Sequence, residues 1–144
     1  MTEKVEVPLA ADLGELSRLA EAVEDFGGAN DLPPGAVFKL NLCFDELITN
    51  AISYGFDTLD QAALSVELAV RDGEVLAVIR DNGRPFDPFT EAPDADTTLR
   101  VEDRPVGGLG VLLVRESMDD FSYERLDDFN VVTLRLKLDR AESP

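Results

Sequence analysis

The chain has 144 residues, enough for one domain with a substantial core and too few for two comfortable ones. Thirteen Lys+Arg against thirty Asp+Glu leave a formal charge of −17, which disfavours phosphate backbones and anionic lipid as partners. Histidine is absent and cysteine occurs once, excluding histidine-based catalysis, histidine-ligated zinc and an internal disulfide. An apolar share of 44% is too high for a disordered acidic tail.

Lys4 to Val7 alternates polar and apolar and is expected to form a first strand that stops at Pro8. The start is charged and alternating, unlike a signal peptide, and no uncharged apolar run is long enough to span a bilayer. The protein is therefore expected to be soluble and cytoplasmic, with no membrane and no direct nucleic-acid partner. Leu9, Leu13, Leu16, Ala20, Val23 and Phe26 recur at helical spacing. Asp12 and Glu15 suggest a capping box for this helix, and Gly27-Gly28 a stop.

Pro33-Pro34 opens a second helix, expected to run through Val37 to Tyr54. Val37, Leu40, Cys43, Phe44, Leu47, Ile48 and Ala51 make it apolar almost all round, so it should be mostly buried. It nevertheless carries Asp45, Glu46, Thr49 and Asn50.

Ala63 to Arg71 and Glu74 to Arg80 alternate and flank Asp72-Gly73, a strong hairpin signal. A turn-rich stretch from Asp81 to Pro88 follows, and residues 89–106 hold acids, threonines and prolines without periodicity. So long a loop in a small domain is expected to be functional, a lid over about 89–110, or disordered. After Gly107-Gly108-Leu109-Gly110 a helix is expected over Val111 to Met118, then strands over Phe121 to Arg125 and Val131 to Leu138. One domain, residues 1–144, is expected.

Three short patterns are candidates for chemistry. Glu46 and Asn50 lie four apart on one helix face. They are either two solvated side chains or a carboxylate and an amide oxygen meeting in a pocket, able to accept a proton and to hold magnesium. Asp81 and Gly83 form either an ordinary turn or an acceptor for an exocyclic amine, with a glycine admitting a flat ring. Gly107-Gly108-Leu109-Gly110 is either a flexible loop or a phosphate cradle at a helix N-terminus.

Each pattern is weak alone, but their order is specific. Asp45-Glu46-Leu47-Ile48-Thr49-Asn50-Ala51-Ile52, Asp81-Asn82-Gly83-Arg84-Pro85-Phe86-Asp87-Pro88 and Arg104-Pro105-Val106-Gly107-Gly108-Leu109-Gly110-Val111 occur in that sequence, before a late strand bearing Thr133. From about Val5 to Leu138 the chain resembles the ATP-binding fold of gyrase, heat-shock chaperones, histidine kinases and mismatch-repair ATPases. Within it, the chain looks most like the stand-alone anti-sigma factor serine/threonine kinases of bacterial partner-switching systems.

The resemblance implies a two-layer α/β sandwich, its sheet mixed and mainly antiparallel, with helices on one face. It implies that Asn50 ligates the Mg2+ of bound ATP and that Glu46 is the base for the attacking hydroxyl. Asp81, helped by Thr133, would accept from the adenine amino group, and Gly83 would let the base pack closely. Gly108 and Gly110 would contact phosphates through their backbone, and Arg104 would neutralise γ-phosphate charge. The implied substrate is an anti-anti-sigma factor (a STAS domain), and the implied captive is a sigma factor or an equivalent regulator. The acidity of the chain predicts a basic surface on that captive and salt-sensitive binding. The first helix is expected to contribute to the partner surface. Relatives in the family commonly form homodimers, though no pattern here marks an interface. The competing reading is a nucleotide-responsive binding module without kinase activity. A histidine-kinase catalytic domain is disfavoured, because no dimerisation helix precedes it.

Overall fold

A computed structural model describes residues 4–56, 62–90 and 108–138. Strand β1 covers Val5–Leu9, helix α1 Leu16–Ala29 and helix α2 Pro34–Tyr54. Strands β2 (Leu64–Arg71) and β3 (Glu74–Asp81) follow, then helix α3 (Gly108–Ser117) and strands β4 (Asp120–Leu126) and β5 (Phe129–Lys137). The five strands form one sheet in the order β1-β2-β3-β5-β4. Every pairing among the described residues is antiparallel, so the sheet they form is antiparallel rather than mixed.

Pro8 does not end β1. The strand lies at the sheet edge, where a missing N–H breaks no ladder, so pairing continues to Leu9 opposite Leu64. The helix that follows therefore starts late. A single 3-10 turn at Leu13–Glu15 precedes α1, with Gly14 N donating to Asp12 Oδ1 at 3.0 Å. Glu15 reaches back past Asp12 to accept from Ala10 N at 2.9 Å, and Arg18 braces it while donating to the Pro8 carbonyl.

Gly27-Gly28 does not stop α1 either. Gly27 is there for packing, since a Cβ on it would lie 2.6 Å from Val37 Cγ2 of α2. The helix runs on to Ala29, and the chain turns at Asp31, whose φ is 54°. The β2–β3 hairpin turns through Asp72 and Gly73, both at positive φ (52° and 78°), the backbone signature of a type I′ turn.

Strand parity divides the sheet into two faces. Val66, Leu68, Val75, Ala77, Ile79, Val132, Leu134 and Leu136 point into the core with Leu19, Val23 and Phe26 of α1 and Leu40, Phe44 and Ile48 of α2. Helix α2 packs against both α1 and α3, which explains its near-complete apolar circumference. The opposite face is screened by ion pairs, with Glu67 held 3.0 Å from Arg80 and Glu74 2.9 Å from Arg135. Among the described residues no helix is long and apolar enough to cross a membrane.

Candidate functional site

The site lies where β3 ends and β5 begins, beneath the C-terminal half of α2. Asp81, the last residue of β3, stands opposite Asn130 of β5, which stands opposite Arg125 of β4. This row continues the inward face, so three polar side chains sit where the neighbouring rows are apolar. Asp81 Oδ1 accepts from Asn130 Nδ2 and from Gly83 N, both at 2.9 Å. Burial pushes the Asp81 carboxyl upward, opposed by those two hydrogen bonds and by the charge of Arg125.

Asn130 is the hub. Its Nδ2 also donates to the Arg84 carbonyl at 2.8 Å, and its Oδ1 accepts from Tyr123 Oη at 2.6 Å and Phe86 N at 3.2 Å. Arg125 Nη1 donates to the Gly83 carbonyl at 2.8 Å and lies 3.3 Å from Asn130 Oδ1. One amide thus ties both strands to the loop after β3. Leu47, Ala51, Ile79, Phe86, Pro88 and Val132 complete a pocket around Asp81 and Asn130. The cavity inside measures about 10 Å³, the room of a single water rather than a purine. Phe86 lines it, stacked on Tyr54 at 6.0 Å, with the Arg84 guanidinium 5.6 Å from the centre of its ring.

Glu46 and Asn50 belong to the helical stripe beside Leu47 and Ala51, so α2 brings them to the pocket's flank. Asn50 is completely buried, and neither its Nδ2 nor its Oδ1 has a hydrogen-bond partner among the described residues. Buried amides are nearly always paired, so an orphan of this kind calls for a water, an ion or another group to complete it. Glu46 is half-buried, its carboxyl raised above the ordinary 4.5 by burial first and the charge of Asp45 second.

Gly83 is explained by the protein itself. A Cβ there would fall 2.3 Å from the Gly55 carbonyl oxygen, and Arg84 N donates to that same oxygen at 2.7 Å. The loop after β3 is thereby fastened to the C-terminus of α2. Thr133 is placed apart from the site. It pairs with Val78 and Ser122, and its odd parity along β5 sends its side chain to the face opposite Asp81. The expectation that Thr133 assists Asp81 is therefore corrected: Asn130 occupies that position. The signal was an isolated polar residue on a stripe otherwise made of Val132, Leu134 and Leu136.

Gly108 and Gly110 lie inside the first turn of α3, which begins three residues ahead of the expected Val111. Arg104 and residues 91–107 of the expected lid lie outside the described residues. The start of that segment is anchored, with Phe89 against Phe121 at 4.7 Å and Arg115 Nη2 donating to its carbonyl at 3.0 Å.

A family model for the histidine kinase-like ATPase domain matches residues 9–136. The serine/threonine-protein kinase BtrW of Bordetella bronchiseptica is 37% identical over 97 residues, covering 67% of this chain and 68% of that protein. The serine-protein kinase RsbW of Listeria monocytogenes is 30% identical over 88 residues, 59% of this chain and 56% of its own. In shape, the chain is similar to the crystal structure of the RsbU and RsbW domains of Rv1364c from Mycobacterium tuberculosis. The TM-score is 0.68 over 94% of this chain and 32% of that one, at 14% identity, a likeness of fold. The chain belongs to the histidine kinase-like ATPase domain family, and within that family it is similar to protein serine kinases.

Proposed function

We propose that the chain is a magnesium-dependent protein serine/threonine kinase acting with ATP on an anti-anti-sigma partner, and that it sequesters a sigma factor or an equivalent regulator. The observation that carries this reading is Asn50, a wholly buried amide without a partner among the described residues, one helical turn from a carboxylate of raised pKa. The relatives named serine kinases support the activity, and a relative named anti-sigma F factor in Clostridium botulinum supports the regulatory class. The cytoplasm, a reducing compartment, suits a chain with a single cysteine.

The residues present fit a magnesium ion. Asn50 offers a buried neutral oxygen, and magnesium needs few protein ligands where phosphates and water supply the rest. Bound there, the ion would neutralise phosphate charge. With Phe86 displaced to admit the base, Asp81 would offer its carboxylate to the adenine amino group, while Asn130 holds that carboxylate in place. The first N–H groups of α3, at Gly108 to Gly110, suit phosphate oxygens because they lack intrahelical partners. Glu46 takes the proton of the acceptor hydroxyl as its oxygen bonds to the γ-phosphorus and ADP departs. Arg104 is proposed to lie against the γ-phosphate.

The test is transfer of labelled phosphate from ATP to a serine or threonine of an anti-anti-sigma protein from the same genome. Wild type should transfer, and Glu46→Ala should bind ATP without transferring. Tight ATP binding by wild type without any transfer would replace this reading with that of a nucleotide-responsive binding module.

A further inference from the structure

A groove separate from the nucleotide pocket lies between the end of α1 and the start of α2, with a volume of about 560 Å³. It is lined by Gly27, Gly28, Leu32, Val37 and Phe38 together with the exposed acids Glu24 and Asp31. Among the described residues no lysine or arginine lines it. Phe38 is 65% exposed, although Phe26, Phe44 and Phe86 of the same chain are buried. A single exposed aromatic residue is ordinary, but one forming the wall of a concavity is not.

Gly28 provides an independent observation. Glycine inside a helix costs about 0.5–1 kcal/mol relative to alanine. Gly27 offsets this by admitting Val37, whereas a Cβ on Gly28 would meet nothing within 4 Å. Among the described residues, packing gives Gly28 no reason to be glycine. A bare backbone there does keep the groove open beside the Phe38 ring.

We infer that this groove docks a segment of a partner protein that presents a large apolar side chain between Lys or Arg residues. The apolar side chain would lie on Gly28 against Phe38 and Val37, and the cations would meet Glu24 and Asp31. These two acids and the charge of −17 select basic flanks and reject acidic ones. The groove is on the same helix as Glu46, eight residues or about 12 Å along its axis, so a partner seated there stands beside the nucleotide pocket. Docking needs no nucleotide, so its failure would leave the kinase reading untouched.

The test uses a fluorescent synthetic peptide of roughly 15 residues with a Phe/Leu stripe between lysines. A copy with glutamates for the lysines and a copy with serines for the stripe serve as controls. The lysine peptide should bind full-length protein without ATP, shift the amide resonances of Gly28 and Phe38, and weaken as salt rises to about 0.15 M. Gly28→Leu, which fills the groove, and Phe38→Ser should each weaken it by roughly tenfold or more while ATP affinity is unchanged. No binding, equal binding of the glutamate copy, or wild-type binding by both variants would overturn the inference. So would wild-type self-association abolished by Phe38→Ser, which would assign the groove to a second copy of the chain.

Discussion

Asn130 holds Asp81 across the β3–β5 ladder, with Nδ2 of the amide 2.9 Å from Oδ1 of the carboxylate and both side chains buried. Gly83 N donates to the same oxygen, so among the described residues both hydrogen bonds to this carboxylate fall on Oδ1. The amide thus fixes the orientation of the carboxylate at the pocket.

Replacing Asn130 by alanine removes a buried donor and acceptor and leaves Asp81, the Tyr123 hydroxyl and Phe86 N to find other partners. The expected loss is about 1–3 kcal/mol of stability in urea unfolding, together with roughly tenfold weaker ATP binding by calorimetry. Thr133→Ala, on the other face, should leave ATP affinity as it is. Weaker binding in Thr133→Ala and not in Asn130→Ala would reverse the assignment.

Asn50 sets function against stability. Its amide is buried without a hydrogen bond among the described residues, which costs about 1–3 kcal/mol. Asn50→Leu, which keeps the branched shape and the number of side-chain heavy atoms, should therefore raise the urea midpoint of the nucleotide-free chain while abolishing magnesium-dependent ATP binding. A variant less stable than wild type would mean that the amide is satisfied in solution.

Elements with strong local signals were legible from residue order alone. Pro33-Pro34 and the apolar run to Ile52 mark α2, and Asp72-Gly73 marks its hairpin, because each signal is decided by neighbours in sequence. Errors fell where tertiary context overrides local chemistry. Pro8 breaks a strand only if that strand is interior, and β1 is at an edge. Gly27 reads as a stop until Val37 is seen against it. In the site, Asp81 and the Glu46–Asn50 spacing were visible, whereas Asn130 was not, because its importance rests on cross-strand register. Thr133 was misassigned for the same reason: one position along a strand exchanges faces.

Glu46 carries a pH dependence whose sign follows from its surroundings. Burial, and secondarily the charge of Asp45, raise its carboxyl above 4.5. If Glu46 receives the hydroxyl proton, phosphoryl transfer should fall as pH drops through that raised value, since the protonated acid accepts nothing. Asp45→Asn should move the acidic limb of the rate profile to lower pH without restoring the ordinary position, because burial is the larger cause. The same shift means that folding disfavours the charged form. Glu46→Gln should thus be more stable than wild type at neutral pH, and the gain should vanish as pH falls below the ordinary glutamate value. Paired rate profiles and urea titrations across pH check both signs, and an acidic limb unmoved by Asp45→Asn would remove Glu46 from the role of base.

Two glycines should respond in opposite directions to the same added methyl group. At Gly83 a Cβ meets backbone on the far side, 2.3 Å from the Gly55 oxygen and 2.9 Å from its carbon, and neither can move without unwinding the end of α2. Gly83→Ala should lower stability by about 1–3 kcal/mol or more and weaken ATP binding with it, because the loop that it displaces carries Arg84 and Phe86. At Gly28 the methyl group enters open space on a helix, so Gly28→Ala should raise stability by about 0.5–1 kcal/mol and leave ATP affinity unchanged. Thermal unfolding of the two variants beside wild type separates the cases. A stable Gly83→Ala protein with full ATP affinity would show that the contact between Gly83 and Gly55 does not hold the loop in place.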